Sequence, residues 1–146
     1  MSKIASFTTA FATASIISIS TAVSAFACDN YVGTASQGFG NRSVTETWGD
    51  QYVSVDQDGD WNSVRDRIQG HCNGVVTGQY GDGDRANTNI AGQHNAVGMR
   101  QTADDVSARA DVVGNGNGIA SYQSRPGSHA EFDVRGGRNH VVNIQH

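Results

Sequence analysis

Gly92-Gln93-His94-Asn95-Ala96-Val97-Gly98-Met99-Arg100-Gln101 is a phrase that the chain repeats. It returns as Gly70-His71-Cys72-Asn73-Gly74-Val75-Val76-Thr77-Gly78-Gln79 and as Gly114-Asn115-Gly116-Asn117-Gly118-Ile119-Ala120-Ser121-Tyr122-Gln123. A fourth copy is Gly136-Gly137-Arg138-Asn139-His140-Val141-Val142-Asn143-Ile144-Gln145. The common pattern is Gly-x-x-Asn-x-(aliphatic)-x-x-x-Gln, and successive copies start 22 residues apart with no insertion. A worn copy precedes them, with Trp48, Gln51, Val53, Val55 and Gln57 in the same slots. Repetition at a fixed period of this size is the mark of an array of stacked units.

A second half-unit lies between the copies, and it reads Gln57-x-Gly59-x-x-Asn62-x-Val64-x-Asp66-x-Ile68 at its first occurrence. Later occurrences place Gly81, Asp84 and Ile90, then Ala103, Val106 and Val112, then Arg125, Ser128 and Val134 in the equivalent slots. Aliphatic residues recur at every second position in each half, with mostly polar residues between them. That alternation is the strand signal. Gly59, Gly70, Gly81, Gly92, Gly114 and Gly136 fall between the alternating runs, where Gly and Asn supply turn conformations.

Each unit therefore reads as strand, turn, strand, turn. One such arch buries too little apolar surface to stand alone. Arches stacked at about 4.8 Å form two parallel sheets around a shared core, giving an all-β solenoid over residues 46–146. The expected core is Val53, Val75, Val97, Ile119 and Val141 against Ile68, Ile90, Val112 and Val134. Gln57, Gln79, Gln101, Gln123 and Gln145 form one inward column, and Asn73, Asn95, Asn117 and Asn139 form another. Burying an unpaired amide costs roughly 2 kcal/mol or more. An in-register ladder offsets that cost by pairing each amide with its neighbours above and below. Asp60, Asp82 and Asp104 share one turn edge, where like charges about 4.8 Å apart repel. They are expected to slow assembly as gatekeepers.

The chain of 146 residues opens with Lys3, an apolar and small-residue run, and Ala25-Phe26-Ala27 before Cys28. This describes a cleavable secretory signal over residues 1–27 rather than a membrane anchor, because Ser and Thr dilute the run and no basic stop follows. A lipid-modified Cys28 is the weaker alternative, since Phe26 fits a lipid-attachment site poorly. Loss of the signal takes Lys3 with it and moves the formal net charge from −4 to −5. An acidic chain argues against nucleic acid as the main partner. An exported chain can pair its two cysteines, Cys28 and Cys72, although their spacing does not show that they meet. Residues 28–45 show no clear period and read as a flexible leader. The alternative is a frayed first rung, with Arg42 and Val44 on the inward parity.

At this point the chain resembles the curlin family, whose repeats read Ser-x5-Gln-x-Gly-x-x-Asn-x-Ala-x3-Gln. Gln57, Gly59, Asn62 and Val64 match one phrase, and the four Gly-x-x-Asn copies match the other half more fully. The resemblance covers residues 46–146. It implies a subunit of curli, the extracellular amyloid fibres of biofilms that support adhesion and cell aggregation. It also implies export through an outer-membrane pore, and as partners other copies of the chain and other curli subunits. The chain departs from the family where Ile68, Ile90, Val112 and Val134 replace a second Gln, and where Val106 and Ser128 replace Asn. Ala103 and Arg125 replace Gly, and Asp66 points inward by parity.

Other chemistry is weakly signalled. Asp56-Gln57-Asp58-Gly59-Asp60 resembles the start of a calcium loop, but Trp61 and Arg67 stand where such a loop needs Gly and Glu. His71, His94, His129 and His140 form no ligand column, Asn41-Arg42-Ser43 reads as a chance glycosylation sequon, and no nucleophile–base pair stands out. Trp61, Tyr80, Tyr122 and Phe132 read as local packing, with an adhesive aromatic surface as the functional alternative. No enzyme, cofactor or metal is expected. The competing reading is a monomeric solenoid adhesin or binding module. It would require capped ends, and the strand from Asn139 to Gln145 reads as an open edge.

Overall fold

The computed structural model describes residues 6–8 and 30–146. The signal expected over residues 1–27 lies outside them except for Ser6–Thr8, and so does Cys28. Among the described residues there are twelve strands and no helix: β1 Ser6–Thr8, β2 Tyr31–Gln37, β3 Arg42–Trp48, β4 Gln51–Asp58, β5 Ser63–His71 and β6 Asn73–Tyr80. They continue as β7 Arg85–Gln93, β8 Ala96–Gln101, β9 Ser107–Val113, β10 Gly118–Gln123, β11 His129–Arg135 and β12 His140–Gln145. One sheet runs β1-β2-β4-β6-β8-β10-β12 and the other β11-β9-β7-β5-β3. All pairs are parallel. The chain is thus a β-solenoid of about five turns, each rung contributing one strand to each sheet.

The 22-residue period fixes the register from β4 onward: Gln51 pairs with Asn73, Val53 with Val75, and Gln79 with Gln101. Val53, Val75, Val97 and Ile119 from one sheet and Ile68, Ile90, Val112 and Val134 from the other are buried. Val141 is half-buried and packs against this cluster. Val55, Val64, Ala86, Met99, Ala108, Ala110, Ala130 and Phe132 complete the core, with Val32 packed against it. Each fully buried Val or Ile contributes about 1.5–3 kcal/mol.

Residues 28–45 do not form a flexible leader from Asn30 on; they supply β2 and most of β3, a first rung stacked on the second. That rung runs at a different period. Tyr31 pairs with Tyr52 and Arg42 with Ser63, 21 residues on, whereas Gln51 pairs with Asn73, 22 on. The missing residue lies in one turn, where Gly49-Asp50-Gln51 replaces Gly70-His71-Cys72-Asn73. The parity therefore shifts by one. Ser43, Thr45 and Thr47 take the inward slots beside Val64, Asp66 and Ile68, while Arg42 and Val44 pair with outward Ser63 and Arg65. Gly49, not Trp48, holds the glycine slot, and Trp48 is exposed.

The turns follow from backbone sterics. The residue before each inward Asn is left-handed at Cys72, His94, Gly116 and Arg138, with φ between 55° and 70°. The other turn places Gly40, Trp61, Gly83, Asp105 and Gly127 in the same conformation. Gly59 has φ +123°, but Gly81 lies outside the left-handed region. Ala103 and Arg125 can therefore follow it in that column without strain.

Candidate functional site

The surface with functional potential is the one on which rungs stack. In the Asn column, both the backbone N–H and Nδ2 of each residue donate to Oδ1 of the Asn one rung earlier. Asn95 binds Asn73, Asn117 binds Asn95 and Asn139 binds Asn117, all at 3.0 Å. Nδ2 also reaches the glycine carbonyl of the following rung, from Asn73 to Gly92 at 2.9 Å, Asn95 to Gly114 at 2.8 Å and Asn117 to Gly136 at 2.9 Å. Asn95 and Asn117 thus splice their turns to both neighbouring rungs.

The Gln column runs the opposite way. Nε2 donates to Oε1 of the next rung, from Gln57 to Gln79 at 3.0 Å, Gln79 to Gln101 at 2.9 Å and Gln123 to Gln145 at 2.9 Å. The same nitrogens reach across the arch to backbone carbonyls of the other sheet, from Gln79 to Ser63 at 3.3 Å and Gln123 to Ser107 at 3.2 Å, and Gln101 and Gln145 reach Arg85 and His129 likewise. The ladder is interrupted once, since Gln123 Oε1 has no partner and Gln101 Nε2 donates only to the Arg85 carbonyl. Gln57 Oε1 is also unpartnered, because the shorter Ser36 occupies the slot beside it.

A further amide column, missed in part by sequence reasoning, lines the other turn. Asn62 N–H donates to Asn41 Oδ1, Asp84 N–H to Asn62 Oδ1 and Val106 N–H to Asp84 Oδ1. Val106 has no side-chain acceptor to pass the ladder on. The glycosylation sequon at Asn41 is therefore a structural amide, whose Nδ2 also reaches the Gly59 carbonyl at 2.7 Å. The 21-residue offset hid Asn41 from a search at period 22. Burial pushes the Asp84 carboxyl up to about 6; the Val106 N–H opposes this, and Asp104, Asp105 and Asp82 add to it.

Asp60, Asp82 and Asp104 do share a turn edge, and they are bonded as well as charged. Asp60 Oδ1 accepts from Phe39 N–H at 2.7 Å, Asp82 Oδ1 from Asp60 N–H at 2.8 Å and Asp104 Oδ1 from Asp82 N–H at 3.0 Å. The turn glycines pack as a column too: a Cβ on Gly70 would stand 1.7 Å from the Gly92 carbonyl oxygen, and one on Gly92 1.8 Å from that of Gly114.

The two outer faces differ. The face of the β3–β11 sheet carries exposed pairs such as Arg67–Glu46 at 3.0 Å and Arg109–Asp111 at 2.7 Å, each worth little in stability. On the other sheet Arg100 lies 5.4 Å over the Tyr80 ring and 6.0 Å from that of Tyr122. Tyr31 and Tyr52 stack at 5.0 Å, and Phe39 meets Trp61 edge-on at 5.4 Å. These aromatics brace neighbouring rungs. Cys72 is disulfide-bonded, and the chain's other cysteine is Cys28. Among the described residues no group of three or more His, Cys, Asp or Glu side chains could hold a metal ion. No helix there is long and apolar enough to cross a membrane.

Comparison with family models, curated proteins and solved structures found no match to this chain.

At the last rung, β12 pairs only with β10 among the described residues. Asn139 is exposed and Val141 and Gln145 are half-buried, whereas their counterparts Asn95, Val97 and Gln101 are at most 1% exposed. Chemically, this face offers an acceptor at Asn139, an aliphatic step and an unpaired strand edge.

Proposed function

We propose that the chain is an exported structural subunit that polymerises end to end into extracellular cross-β fibres of the curli type. The observation that supports this best is the equivalence of the bonds between rungs. The bonds joining Asn117 to Asn139 are the same as those joining Asn73 to Asn95, so a rung from a second copy can continue the column. Such fibres would serve a biofilm matrix, surface adhesion and cell aggregation. The partners are other copies of the chain, further subunits of the same kind and an outer-membrane secretion pore. The leader is removed after Ala27, or after Ala25.

The second reading, a secreted monomeric solenoid adhesin, draws on the first rung. Its inward Ser36, Ser43, Thr45 and Thr47 set it apart from the later rungs and suit a cap. Negative-stain imaging and fibre diffraction of the incubated chain without its leader decide between them. Fibres with a meridional reflection near 4.7 Å are expected, and a chain that stays monomeric overturns the proposal.

A further inference from the structure

The interior of the solenoid is aliphatic and amide along most of its length, but one stretch differs. Asp66 stands inward on β5, between Thr45 of β3 on one side and Thr88 of β7 on the other. Asp66 is 1% exposed. Neither of its carboxyl oxygens has a hydrogen-bond partner, and the same is true of the Thr45, Thr77 and Thr88 hydroxyls. Four of the eight buried unpartnered side-chain atoms among the described residues belong to the Thr45, Asp66 and Thr88 run, so the stranded polarity is concentrated rather than scattered.

No counter-charge faces Asp66. The inward residues of β3, β4, β6 and β7 include no titratable side chain. The other inward carboxyl, Asp84, sits one rung on at the turn between β6 and β7. Arg65 and Arg67 on β5, and Asp56 and Asp58 on β4, occupy the alternate, outward positions. An unpaired carboxylate in such a place gives up its charge rather than bear the desolvation. Burial accordingly pushes the Asp66 carboxyl up to about 7; the neighbouring Thr88 hydroxyl opposes this by its proximity, although the two are not aligned as a hydrogen bond. As a neutral acid, Asp66 is both donor and acceptor, which suits hydroxyl neighbours that are also both.

We propose that Asp66 enters the core as the neutral acid, so that the chain takes up a proton at this carboxyl as the rung closes and mild acidity favours the folded stack. An unfolded Asp titrates near 3.9, and the folded group titrates at about 7. The stabilisation is therefore fully present below about pH 4, declines as pH rises and is exhausted above about pH 7. It is a property of one folded copy and does not depend on fibre formation.

The test compares Asp84→Asn with Asp84→Asn/Asp66→Asn, so that Asp84 does not contribute. In the single variant the unfolding equilibrium constant should rise on the order of a thousandfold between pH 4 and pH 8. In the double variant it should stay nearly flat. Infrared spectra of the folded single variant at pH 6 should show the carbonyl band of a neutral carboxylic acid, and the double variant should lack it. Equal pH slopes in the two chains, or no acid band in the single variant, overturns the proposal. If the double variant fails to fold, the band in the single variant decides alone, whether that chain is monomeric or assembled.

Discussion

Side chains in this protein are selected by what lies one rung above and below them, and Asp84 shows the consequence. It occupies an Asn slot, its Oδ1 serves the Val106 N–H as an Asn would, and its Oδ2 is left buried without a partner. Asn62 in the same column uses its Nδ2 on the Gly81 carbonyl at 2.7 Å, a bond a carboxylate cannot make. Asp84→Asn should therefore stabilise the chain. Burial raises the folded Asp84 to about 6, above its unfolded value, so its contribution is present at low pH and lost as pH rises through about 6. The gain from Asn should be roughly 2–3 kcal/mol at pH 7.5 and vanish below about pH 4, as read from urea midpoints. The exposed turn edge behaves differently. Replacing Asp60, Asp82 and Asp104 by Asn keeps an acceptor for each backbone N–H and removes three like charges. If the three act as gatekeepers, the lag before assembly shortens, and the difference shrinks as salt screens the charges. An unchanged lag at low salt would remove the charge from the argument and leave these residues a bonding role alone.

Among the elements, the turn between β3 and β4 is the irregular one. It has one residue fewer than its counterparts, and Gln51 spans the gap with a side chain one methylene longer than the Asn found elsewhere. Its Nε2 reaches the Trp48 carbonyl at 2.9 Å and that of Gly70 at 2.6 Å, and its Oε1 accepts from Asn73 N–H at 3.2 Å. Gln51→Asn, which the repeat pattern alone would favour, should cost about 1–3 kcal/mol by stranding these groups. Inserting one residue between Gly49 and Asp50 in that variant should recover much of the loss. A neutral Gln51→Asn would show that the longer side chain is incidental. The same turn explains what the sequence did and did not reveal. Nine strands from β4 to β12 were readable because their columns recur every 22 residues and their parity never slips. β2 and β3 carry the same glycine and Asn slots at Gly38, Asn41 and Gly49, but 21 residues away from their partners. At period 22 those residues fall on the wrong parity, and a rung reads as a leader. The second turn was legible only in part, because which residues tolerate it depends on φ, and φ changes between Gly59 and Gly81 without a change of residue type.

At the scale of the whole molecule, the question is whether the stack continues from one copy into the next. The turn glycines offer a test that separates folding from growth. A Cβ on Gly114 would lie 1.7 Å from the Gly136 carbonyl oxygen, as in the rungs before it. A Cβ on Gly136 would meet nothing nearer than Asn139 Nδ2 at 3.7 Å, because no described rung lies above it. In a single folded copy, Gly136→Ala is therefore left with the left-handed strain at φ +102°, about 1–2 kcal/mol. Gly92→Ala carries similar strain and also drives a side chain into the backbone of the next rung, which places it among the rare losses above about 4 kcal/mol. In a fibre that grows in register through β12, the incoming rung brings a carbonyl over residue 136, and Ala becomes as intolerable there as at 92. Gly136→Ala should thus keep a near-normal circular dichroism spectrum and a modestly lowered urea midpoint. Its elongation from preformed seeds should slow at least tenfold, a barrier increase of about 1.4 kcal/mol or more. Gly92→Ala should fail in both assays. If Gly136→Ala elongates at the parental rate, the glycine column does not pass from one copy to the next, and growth uses some other contact.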